Sequence, residues 1–76
     1  MKQNIKKGWV LSMYKVYDDN GWVFTADTSI ELEQSLYDFF EEVVGSDVRY
    51  ILSTTESDGY ARLDTGEHCL WIDKVA

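Results

Sequence analysis

Thr28-Ser29-Ile30-Glu31-Leu32-Glu33-Gln34-Ser35-Leu36-Tyr37-Asp38-Phe39-Phe40-Glu41-Glu42-Val43-Val44-Gly45 is the stretch from which the rest of the chain is read. Thr28 and Glu31 have capping-box spacing, in which a hydroxyl and a carboxylate each satisfy a free backbone amide at a helix start. Leu32, Leu36, Phe39, Phe40 and Val43 then recur with helical period, and Gly45 stands where a left-handed C-terminal cap is expected. The spacing predicts one helix over about 29–44, anchored by its Leu and Phe stripe. Glu31, Gln34, Ser35, Asp38, Glu41 and Glu42 fall on the opposite side and predict an acidic ridge facing solvent.

Outward toward the N-terminus, Trp9 to Tyr17 favours strand, and Asp18-Asp19-Asn20-Gly21 contains the Asn-Gly pair suited to a two-residue type I′ turn. With Asn20 and Gly21 central, Asp19 faces Trp22, Tyr17 faces Phe24 and Lys15 faces Ala26. Leu11, Met13, Tyr17, Trp22 and Phe24 then share the buried side, and Tyr14, Val16, Val23 and Thr25 lie on the other.

Toward the C-terminus, Val48 to Thr55 is rich in β-branched and aromatic residues and reads as strand. Ser57-Asp58-Gly59 carries a turn signal, Tyr60 to Leu63 resumes strand character, and Thr65-Gly66 marks a bend. His68 to Val75 reads as a last strand, with Leu70 and Ile72 inward and Cys69 and Trp71 outward. The expected fold is α+β: an antiparallel sheet of four to five strands, ordered ββα and then ββ or βββ, packed on one helix. A chain of 76 residues has apolar surface for a single core, so residues 8–76 are expected to form one domain. Residues 1–7 are expected to form a flexible basic arm containing Lys2, Lys6 and Lys7.

Catalysis is not expected. The single His and single Cys are adjacent, at 68 and 69, and on a strand neighbouring side chains point to opposite faces. Glu41 and Glu42 on a helix diverge by about 100°, which argues against a facing carboxylate pair. The chain has no paired cysteines, no His-Glu-Xaa-Xaa-His run and no glycine-rich phosphate loop, so neither a metal nor a cofactor is expected. Asp18-Asp19-Asn20-Gly21 lacks the distal Glu of an EF-hand loop and has a turn to make instead. One cysteine forms no internal disulfide, and no run of apolar residues approaches membrane-spanning length. A cytoplasmic setting is the expectation.

Fourteen Asp and Glu against seven Lys and Arg give a net charge of −7. That balance disfavours direct contact with nucleic acid or an anionic membrane and favours a basic protein surface as partner. The ridge residues Glu31, Asp38, Glu41 and Glu42, with Asp18 and Asp19 at a loop end, are candidate mimics of phosphate charge. Tyr14 and Trp71 are candidate apolar anchors. Small size, acidity and the lack of cofactor motifs fit small inhibitors carried by phages and mobile elements. The leading expectation is an inhibitor of a nucleic-acid-binding enzyme, of anti-CRISPR or anti-restriction type. An antitoxin or immunity-type partner of a toxin nuclease, and a self-associating structural or regulatory module, are the alternatives. The protein is expected to be a monomer or a homodimer.

Overall fold

The computed structural model describes residues 13–75. Strands β1 (Tyr14–Asp18) and β2 (Gly21–Ala26) are followed by helices α1 (Ser29–Phe39) and α2 (Gly45–Asp58), and then by β3 (Tyr60–Asp64) and β4 (Cys69–Lys74). The four strands form one antiparallel sheet in the order β2-β1-β4-β3, so the first and last strands lie side by side at its centre. Both helices cover one face. The α+β expectation and the single core are borne out, with four strands and with two helices in place of one. The proposed arm, residues 1–7, lies outside the described residues, as does Leu11.

The first hairpin forms, but one residue out of the expected register. Gly21 opens β2 opposite Asp18, so Asp19 and Asn20 make the turn, and the Asp18 carboxylate accepts the Asn20 amide at 2.8 Å. Gly21 supplies φ +117°, a value side chains resist, one step later than a two-residue type I′ turn requires. Tyr14 therefore faces Ala26, Val16 faces Phe24, and an irregularity after Val16 brings Tyr17 opposite Trp22. A one-residue slip exchanges the faces of a strand. For β1 this brings Tyr14 and Val16 into the core and leaves Met13, expected inside, exposed; on β2 Phe24 stays inside, and the irregularity turns Trp22, also expected inside, to the exposed face.

The helix expected over 29–44 ends at Phe39. Its N-terminus forms as expected: the Thr28 hydroxyl accepts the Glu31 amide at 3.1 Å, and the Glu31 carboxylate accepts the Asp27 amide at 2.7 Å. At the other end Phe40 is extended, and Phe40 and Val43 turn into the core through the connection to α2. Gly45 begins α2 and does not cap α1. Ahead of it, the Asp47 carboxylate accepts the Val44 amide at 3.1 Å, half of a capping box, because valine has no oxygen to return the bond.

The run Val48 to Thr55 is helix, contrary to the strand expectation. Val48, Ile51 and Thr55 are buried and Leu52 packs against them, a spacing of three, one and three residues that one helix face satisfies. The buried Thr55 hydroxyl donates to the Ile51 carbonyl at 2.8 Å and so needs no outside partner. Gly59 closes α2 in the left-handed region at φ +88°, with its amide on the Thr55 carbonyl. No hairpin forms about Asp58-Gly59; β3 pairs instead with β4 through the bend at Thr65-Gly66, and on β4 Leu70 and Ile72 are buried and Trp71 is exposed, as expected. The core joins Tyr14, Val16, Phe24 and Ala26 to Leu32, Leu36, Phe40 and Val43, then to Val48, Ile51, Ala61, Leu70 and Ile72.

Candidate protein-binding surface

The carboxylates grouped as one ridge divide into those that hold the fold and those that do not. Glu31 is exposed but engaged at the α1 N-terminus. Asp18 holds the first turn, and Asp19 accepts the Cys69 amide at 2.7 Å, which ties that turn to the start of β4. Glu42 turns inward, with 15% of its side chain exposed, to meet the His68 Nδ1 at 2.7 Å and the Thr65 hydroxyl at 2.9 Å. The hydrogen bond to His68 is the main reason the Glu42 carboxyl titrates below its usual range, and the same bond raises the imidazole. Glu42 thus leaves the expected row of outward charges.

Asp38 and Glu41 remain. Both are exposed, and neither forms a hydrogen bond or ion pair with another described residue. They lie at the C-terminal end of α1, whose last turn contains no basic residue. Helix dipoles disfavour acids there by roughly 0.3–1 kcal/mol each, so the helix gains nothing from them. Glu56 and Asp58 repeat the pattern at the end of α2, although Glu56 is ion-paired to Lys74 at 3.1 Å.

The apolar anchors are placed differently from expectation. Tyr14 is 1% exposed, its hydroxyl donating to Glu56 at 3.3 Å; it is a core residue, and its placement outside the core is corrected. Trp71 is 45% exposed on the sheet face that neither described helix covers, with the Arg62 guanidinium 5.1 Å from its ring centre. Around Asp38 the exposed aromatics are Tyr37 and Phe39. Phe39, expected in the core stripe, is 56% exposed and stacks on Phe24 with ring centres 5.0 Å apart. Tyr37 is directed toward the start of α2, where its hydroxyl and the Arg49 guanidinium flank Gly45. Sequence reasoning missed this corner because one continuous helix through Val44 would have buried Phe39. The two adjacent valines, stiff at χ1 and weak helix formers, were the signal of a break.

Trp22, 63% exposed, was also missed as a surface residue; its indole N–H donates to the Thr25 hydroxyl at 3.1 Å. Through the pairings Trp22–Tyr17, Tyr17–Trp71 and Trp71–Arg62, one row of large side chains crosses the whole sheet. Cys69 and His68 have separate partners, Arg62 and Glu42, and form no nucleophile–base pair. No described helix is long and apolar enough to cross a membrane.

The molecule is thus a ββααββ domain with helices on one sheet face and with Tyr37, Asp38, Phe39 and Glu41 exposed around the C-terminal end of α1. No family model, curated protein or solved structure matches the chain.

Proposed function

We propose that the protein is a small binding inhibitor that covers a basic surface of a nucleic-acid-handling protein with the C-terminal corner of α1. The observation that carries this reading is the placement of Asp38 and Glu41, exposed, without described partners, and at the helix end where acids are disfavoured. Charges kept at a local cost are expected where they serve something other than the fold. Tyr37 and Phe39 beside them offer the aromatic area that gives a charged contact its affinity. All fourteen acids lie within residues 13–75, against Lys15, Arg49, Arg62 and Lys74, so this body repels phosphate and attracts cationic grooves. A phage- or mobile-element-borne inhibitor of a host nuclease or CRISPR effector, meeting its target in the cytoplasm, fits that profile of size and charge.

The test is affinity capture from host lysate at low and high salt, with the wild type and with D38K/E41K as bait. A nucleic-acid-handling protein held by the wild type at low salt, and lost both at high salt and with the double variant, is the expected result. Capture indifferent to salt and to both substitutions would remove this reading.

A second reading, self-association through the sheet face opposite the helices, is favoured by the row containing Trp22 and Trp71, exposed among the described residues. Sedimentation of the pure chain separates the two, since a strict monomer at high concentration excludes the second.

A further inference from the structure

We propose that Glu42, Glu67 and His68 form a binding site for a zinc-type divalent ion. One imidazole nitrogen and two carboxylate oxygens, one from each residue, lie within 4.8 Å of one another. This donor set suits borderline ions such as Zn²⁺, which takes histidine nitrogen and carboxylate oxygen at about 2.0–2.2 Å. Ligand atoms in such a tetrahedral shell stand roughly 3.3 Å apart. The 2.7 Å between the Glu42 carboxylate and the His68 Nδ1 therefore widens by a fraction of an ångström, and the exposed Glu67 swings in. Water fills the fourth position, as in open zinc sites.

The pieces come from two places far apart in the chain. Glu42 lies in the connection between α1 and α2, whereas Glu67 and His68 lie in the turn between β3 and β4. That separation is why spacing motifs gave no sign of the cluster. The turn is built around Thr65, whose hydroxyl accepts the amides of Glu67 and His68 and donates to Glu42, so an outer contact already orients a ligand. The Phe40 ring packs edge-on against His68, with centres 5.3 Å apart, and fixes the imidazole from the core side.

Charge is an independent reason. Neither Glu42 nor Glu67 is ion-paired to a described Lys or Arg, and Asp18 and Asp19 add negative potential at His68. Two carboxylates against at most one imidazolium leave the cluster net negative, an imbalance that a divalent ion offsets. On binding, Nδ1 gives up its hydrogen: an imidazolium releases it to solvent as a proton, whereas a neutral ring carries it on Nε2 instead; the Nδ1 nitrogen and both carboxylates then donate lone pairs to the ion, and no redox change occurs.

The test is calorimetric titration of the full chain with Zn²⁺ near neutral pH in buffers of different ionisation enthalpy, with thermal melting in parallel. Expected are one saturable equivalent, proton release and a higher Tm. E67Q, at an exposed position that leaves the fold intact, weakens binding at least about tenfold; H68Q abolishes it, C69S leaves it unchanged, and Mg²⁺ does not compete. Absence of saturable uptake, uptake lost in C69S, or uptake indifferent to both E67Q and H68Q would overturn the site.

Discussion

At the scale of single residues, the contrast between Phe24 and Trp22 carries the irregularity of the first hairpin, where Val23 is skipped between the Val16–Phe24 and Tyr17–Trp22 pairs. Both were expected inside, yet only Phe24 is buried. Phe24→Ala should cost about 3–5 kcal/mol in urea unfolding, whereas Trp22→Ala should stay within about 1 kcal/mol. Equal losses would mean a regular strand with both rings on the buried face. The Glu42–His68 contact gives a second expectation. His68 is raised above its ordinary 6.5, chiefly by its hydrogen bond to Glu42, so its stabilisation is complete below that value and fades as pH rises through the raised one. Glu42 is lowered from its ordinary 4.5 by the same bond, so its contribution is present above that value and fades as pH falls through the depressed one. With chelator present, the stability advantage of wild type over H68Q should therefore peak near about pH 5.5 and shrink toward pH 8. A profile flat across that range would show that the contact contributes nothing.

At the scale of elements, α1 was legible at its start and illegible at its end. The Thr28 and Glu31 capping pair is a local signal, and it forms. The break at Phe40 is tertiary, because burying both Phe40 and Val43 in the bend outweighs continuing the helix. The strand expected at Val48 to Thr55 failed for a related reason: β-branched content was allowed to outweigh a helical spacing present at Val48, Ile51, Leu52 and Thr55. Intrinsic preferences differ by tenths of a kcal/mol, less than one buried aliphatic side chain contributes. Ser53→Pro tests the assignment directly. The site is exposed and inside α2, so proline should cost about 3 kcal/mol or more and lower helical circular dichroism. A neutral effect would contradict the helix. Of the C-terminal part, the strands at Tyr60 to Leu63 and His68 to Val75 and the bend at Thr65-Gly66 were readable, but the Asp58-Gly59 turn signal proved to be the end of α2 and not a hairpin turn.

At the scale of the molecule, the closing of β1 against β4 leaves two unlike surfaces: a sheet face crossed by Trp22, Tyr17, Trp71 and Arg62, and a helical corner of acids and aromatics. Net charge and acid content were visible in composition, but composition does not show which carboxylates the fold consumes. Glu31, Asp18, Asp19 and Glu42 proved to be structural, leaving Asp38 and Glu41 of the expected set as the carboxylates open to a partner. Asp38 and Glu41 therefore stand apart from the other carboxylates: removing their charge should help the fold and harm the function. The decisive measurement takes D38K/E41K and compares its urea stability with its affinity for the captured partner across a salt series. Stability that holds or rises by up to about 1 kcal/mol, with affinity down at least tenfold and its salt dependence flattened, is the predicted result. Unchanged affinity, or a loss of affinity accompanied by an equal loss of stability, would contradict it.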